Sequence, residues 1–203
     1  MESLAARLER ALTRFRVQTA HNLLDEVFAV APPDVIARDF VLPLFSRVEA
    51  AGDPAVTRFA CSLFEIRLLV QARGWERIDG PSVTLACAPR EQRTLGLIAL
   101  GLGLADRHCR ILYLGGFTPT AAVLEQPAAL IILCADEDDL TPTERRDLRP
   151  HAPLVIGRAA EDLAEALDGA ALPADLEAAT VRAARLAHER SSRSGDAMSP
   201  SEP

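Results

Sequence analysis

The chain has 203 residues, 49% of them hydrophobic and 25% charged, which excludes a disordered tail, a collagen and a coiled-coil rod. Aromatic residues make up only 4%, so the core must be built from Leu, Val, Ile and Ala. The net charge is -7 and all 22 basic residues are arginine; such a chain gains little from counterion release on DNA, and direct DNA binding is not expected.

Residues 1–78 carry helix signals and almost no strand signal. Leu4, Leu8, Leu12 and Phe15 recur at helical spacing, as do Leu23, Leu24, Val27 and Phe28. Pro32-Pro33-Asp34 starts a third helix and Gly52 ends it. Asp53-Pro54 supplies an N-cap and a first-turn proline for a fourth. The spacing predicts helices over 2–15, 17–30, 32–50 and 53–73, and short connections predict a four-helix bundle.

After Asp79-Gly80-Pro81 the rhythm changes. Strands are predicted over 82–87, 110–114, 129–134 and 154–156, with a stub at 170–172. Helices alternate with them over 91–106, 119–125, 142–149, 158–168 and 173–190. Near-continuous apolar strands between helices indicate a buried parallel sheet. The expected fold class is α/β: the N-terminal bundle, then a flavodoxin-like (Rossmann-type) doubly wound sheet of about five strands over 81–190. Residues 191–203 are Ser/Pro-rich and are expected to be disordered.

No apolar run approaches the ~18 residues that a bilayer span needs. The N-terminus is charged and amphipathic, so a cytoplasmic protein is expected. Cys61, Cys87, Cys109 and Cys134 form no metal-type spacing and read as small buried thiols. His21, His108, His151 and His188 are scattered; His21 is expected to pair with Asp25 on a helix surface. The acids Asp136, Glu137, Asp138 and Asp139 read as a solvated run. No nucleotide motif or G-x-S-x-G elbow is present, and no enzyme is expected.

In an open parallel sheet, ligands bind beyond the carboxyl ends of the strands. Two loops there stand out. Glu91-Gln92-Arg93-Thr94-Leu95-Gly96 reads as a helix start, with Glu91 at the N-terminal dipole and Gly96 packed on the sheet. Tyr113-Leu114-Gly115-Gly116-Phe117-Thr118-Pro119 reads as a tight turn with glycines for positive φ. Arg93 with Glu91 could organise an anion-binding loop, or Arg93 could pair with Glu91 or the acidic run and close the crevice.

The run APREQRTLGLIALGLGLADRHCRILYLGGFTPTAAVLE resembles the cobalamin-binding domain of B12-dependent regulators. These include MerR-type light-sensing repressors and antirepressors without a DNA-binding domain, and more distantly the corrinoid proteins of methyltransferases. YLGGFTP is similar to the family's YLG-x-x-TP, and a bundle of this size precedes the family's flavodoxin-like domain. The resemblance implies a cofactor site at Glu91, Arg93, Thr94, Gly96, Gly115, Gly116, Phe117, Thr118, Cys134, Gly157 and Arg158, with Arg58 and Phe59 on a capping face.

The family's Asp/Glu-x-His-x-x-Gly places its cobalt-ligating His at the position of Arg93. A guanidinium has no lone pair for a metal. Thr57 and Arg58 stand where the light sensors carry Glu-His, and Arg47 or Val48 where they carry Trp. Cys134 and Gly157-Arg158 replace the Ser and Gly-Gly that receive the nucleotide tail.

Two functions follow from the resemblance. One is a cobalamin-type sensing domain that regulates transcription through a partner, with non-standard or lost His coordination. The other is a cofactor-free interaction module. Cobalamin without a His lower ligand, or no cofactor, is expected. The expected partner is a protein, either a transcription regulator or a second copy. A winged helix-turn-helix is missing upstream of Leu4, which again disfavours operator binding.

Overall fold

The computed structural model describes residues 2–196. They divide between Arg73 and Gly74 into two compact units.

The first unit is helical: α1 (Glu2–Thr13), α2 (Val17–Phe28), α3 (Pro33–Ile36), α4 (Leu42–Ala50) and α5 (Pro54–Gln71). α1 packs on α2, α4 and α5. Leu8, Leu12, Leu24, Leu44, Phe64 and Leu68 are fully buried between them. The predicted helix over 32–50 is interrupted by a π-helical turn, Ala37–Val41. Its cause is Pro43. Proline has no N–H and its ring crowds the carbonyl four residues back, and the wider turn relieves the crowding. Asp53 caps α5 as expected, its carboxylate accepting from the N–H of Ala55 (2.9 Å) and of Val56 (3.2 Å). α1 ends on a residue in the left-handed region, Phe15 at φ +51°, and the Arg16 N–H reaches back to the Ala11 carbonyl (2.8 Å). The Phe15 ring packs on Phe59, 5.4 Å between centroids.

The second unit holds the sheet. The strands β1 (Ser82–Cys87), β2 (Arg110–Gly115), β3 (Leu130–Cys134), β4 (Leu154–Ile156) and β5 (Ala170–Ala171) lie in the order β2-β1-β3-β4-β5. All pairings are parallel. This is the flavodoxin-like order, and the sequence expectation of an α/β fold with a helical N-terminal part holds. β1 and β3 sit at the centre and are buried on both faces, which is why they read as unbroken apolar runs.

The crossover helices are α6 (Leu95–Asp106), α7 (Thr120–Leu124), α8 (Pro142–Leu148) and α9 (Ala160–Ala166), and α10 (Leu176–Asp196) closes the unit. α6 is apolar all round. Its Gly101 lies against Trp75 and Leu85, and its Gly103 lies against Thr180 of α10. On the other sheet face Ala86, Ile131, Leu133 and Val155 meet Leu148, Leu163 and Leu167.

Two expectations are corrected. The helix after β1 begins at Leu95, not at residue 91. α10 continues through the first part of the expected disordered tail to Asp196; the rest of that tail, 197–203, lies outside the described residues.

Candidate functional site

The chain reverses direction across the sheet between β1 and β3, and the loops that follow these two strands flank the resulting crevice. The Glu91 carboxylate dominates the first loop. It accepts from the backbone N–H of Gln92 (2.8 Å) and Arg93 (2.7 Å), and from the N–H of Asp136 across the crevice (3.1 Å). Those bonds explain the late start of α6: a side chain that captures local N–H groups competes with the first helical turn.

Arg93 does not face an empty cavity. Its guanidinium binds the Asp136 carboxylate. Arg158, after β4, donates to the same carboxylate from its backbone N–H (3.0 Å) and its guanidinium (3.2 Å). One acid therefore ties together the loops after β1, β3 and β4. Burial alone would raise the Asp136 carboxyl. The Arg158 N–H and the Arg93 guanidinium outweigh it and hold the group below its usual value.

Two of the three remaining acids are also engaged. Asp139 binds Arg90 (3.0 Å) and Asp138 binds Arg145 (2.8 Å). The expected solvated run is thus largely an ion-paired rim. Among the described residues no cluster of His, Cys, Asp or Glu could hold a metal ion.

The other residues implied by the resemblance fall as follows. Thr94 is buried and abuts Gly116, whose backbone also approaches Gln92. The Phe117 N–H donates to the Glu91 carbonyl (2.7 Å), joining the β2 loop to the β1 loop. Phe117 itself adopts φ +51° and leaves its ring 58% exposed. Thr118 is buried and bonds the Gly115 carbonyl (2.9 Å). Gly115 needs its positive φ of +87°. Gly96 does not pack on the sheet as expected: an added side chain would meet no atom within 4 Å. Cys134, with Cys87, points its thiol at the Arg93 carbonyl (3.6 and 3.7 Å). In the helical unit Arg58 is exposed on α5, and Phe59 is half-buried against Phe15.

All four cysteines are free. Burial pushes the Cys61 thiol up to about 12, with help from Glu65, and the Cys109 thiol up to about 11. Neither is a nucleophile at neutral pH.

Within the α/β unit no histidine lies at the crevice. His21 lies on α2, and the Asp25 expected to pair with it binds Arg67 instead. His108 precedes β2, His151 precedes β4, and His188 bonds the Arg107 carbonyl (3.2 Å), all at the amino end of the sheet. The residues at the crevice therefore do not fit a cobalt ion ligated by a protein imidazole.

Reading the sequence missed Arg90, and it named Asp136 only as one member of the acidic run. The available signal was that Arg90, Arg93 and Arg158 all follow strands, in loops that the parallel sheet brings beside the acidic run.

A pH prediction arises at the rim. The Arg90 guanidinium holds the Glu144 carboxyl down to about 2 from an ordinary 4.5, against the effect of partial burial, with Thr141 as a further donor. A depressed carboxylate stabilises the fold above its unfolded-state value, and that contribution is lost as pH falls towards the folded one. Wild type should exceed Arg90→Ala in guanidinium chloride midpoint at neutral pH, and the gap should close between about pH 4.5 and about pH 2. A gap that stays constant over this window would remove Glu144 from the account.

No protein-family model and no curated protein matches the chain. Among solved structures it is similar to the monomethylamine corrinoid protein of Methanosarcina barkeri. The TM-score is 0.63 at 17% identity, over 93% of this chain and 98% of that one. A cobalamin-binding protein of Desulfitobacterium hafniense matches with a TM-score of 0.43 at 13% identity, over 90% of this chain and 98% of that one. The first likeness shows the fold, that of a corrinoid protein. No described helix is long and apolar enough to cross a membrane.

Proposed function

We propose that the chain is a regulatory protein of the cobalamin-binding fold that acts on transcription through a protein partner. Any corrinoid it takes is held without a protein ligand to cobalt. One observation carries this reading: Arg93, which the sequence resemblance puts at the ligand position, has its guanidinium bound to Asp136. An arginine cannot coordinate a metal, and this one already neutralises an acid that also holds Arg158. No catalytic step belongs to this reading.

The cofactor-free variant, an interaction module alone, is favoured by the bond from the Asp136 N–H to Glu91, which ties the two sides of the crevice together. Both forms make the same spectroscopic prediction. Adenosyl-, methyl- and hydroxocobalamin, passed with the protein through gel filtration, should be lost or should elute base-on. A base-off spectrum with histidine on cobalt overturns the proposal if it disappears on replacing any one of His21, His108, His151 or His188 by alanine.

A further inference from the structure

The helical unit carries a charged feature that the crevice does not explain. A shallow cleft of about 160 Å³ is lined by Arg7, Arg10, Arg14 and Arg16, with Thr19 beside them and Ala11 and Leu23 beneath. Arg7 pairs with Glu26 at 3.5 Å. Arg10, Arg14 and Arg16 have no ionic partner among the described residues. These four cations gather on a chain whose net charge is -7. The overall charge opposes binding of any polyanion, so the local concentration of guanidinium groups is a specific feature and not a bulk one.

We propose that this cleft is a docking surface for an acidic, amphipathic segment of the partner protein. The proposal rests on the reading that the chain works through a protein partner. Arg7, Arg10 and Arg14 recur at three- and four-residue spacing and so follow one side of α1 into its exit turn, a stripe about 10 Å long. That spacing matches carboxylates repeated along a partner helix, each able to take a guanidinium fork. Apolar side chains adjoin the stripe in sequence: Phe15 is 48% exposed and Val17 50% exposed. An acidic helix would meet the whole stripe. A lone phosphate would not. The arginines are exposed, and single contacts at such a surface are screened at physiological salt.

The test uses the full chain and a dye-labelled peptide, Glu-Glu-Leu-Glu repeated three times, followed by fluorescence anisotropy. Saturable binding is expected at low salt and should weaken steeply as salt rises. Arg10→Glu with Arg14→Glu should weaken it about tenfold or more, since two attractive contacts become repulsive. Arg77→Glu, on a side chain 86% exposed in the other unit, should leave it unchanged. Circular dichroism checks folding, and Arg14→Ala with Arg16→Ala serves if the reversed pair does not fold. Absence of saturable binding, indifference to both double variants, or tighter binding of duplex DNA or inorganic phosphate would each overturn the cleft assignment. None of these outcomes alters the cobalt prediction, which concerns the other unit.

Discussion

Replacing Gly157 by alanine is expected to destabilise the α/β unit by about 3 kcal/mol and to lower its Tm by about 6–12 °C. Gly157 leaves β4 at φ +120°, in a region that L-residues rarely adopt, and an added Cβ would overlap the Ala135 carbonyl group and approach the Asp136 carboxylate. The strand end cannot yield easily. The Ala135 N–H is bonded to the Ile156 carbonyl (2.9 Å), and the Ala135 carbonyl accepts from Ala159 (3.2 Å). The strain would fall on the segment that presents the Arg158 N–H to Asp136. Thermal unfolding of the variant by circular dichroism measures it. A loss below about 1 kcal/mol would mean that the loop relaxes freely and does not fix Arg158.

Glu91→Ala is expected to cost about 2 kcal/mol, because three backbone N–H groups lose a charged acceptor. Two of them, on Gln92 and Arg93, can turn to water. The third, on Asp136, is partly buried and spans the crevice, so most of the cost is assigned there. Glu91→Gln, which keeps an acceptor oxygen, should cost less than half as much. Guanidinium chloride unfolding gives the totals. Amide exchange at Asp136 should accelerate in the alanine variant, and unchanged exchange would show that Glu91 does not tie the two loops.

The sheet was legible in the sequence because parallel strands buried on both faces are written as unbroken apolar runs. Ser82–Cys87 and Leu154–Ile156 were found with their bounds intact. Helix ends were less legible where a side chain competes with the backbone. Glu91 has the composition of a first helical turn, yet it binds the N–H groups that such a turn would use, and α6 starts at Leu95. The helix over 32–50 was read straight through Pro43, and nothing local distinguishes a break from the π turn that accommodates it.

The crevice itself depends on neighbours far apart in the chain. That Asp136 meets Arg93 and Arg158 follows from β3 lying between β1 and β4, a topological fact that no local pattern states. That Arg93 stands where the resemblance puts the ligand was readable; its partner was one of two alternatives, and the structure binds its guanidinium to the acidic loop and its backbone N–H to Glu91.

The central claim is that no imidazole of this protein reaches cobalt. It is tested most directly by electron paramagnetic resonance of cob(II)alamin mixed with the protein, prepared once with natural histidine and once with nitrogen-15 histidine. The nuclear spin of an axial nitrogen sets the multiplicity of the superhyperfine lines. The account predicts identical spectra from the two preparations, because the axial nitrogen comes from the corrinoid's own base. A triplet pattern that becomes a doublet with labelled histidine would place a protein histidine on the metal and contradict it.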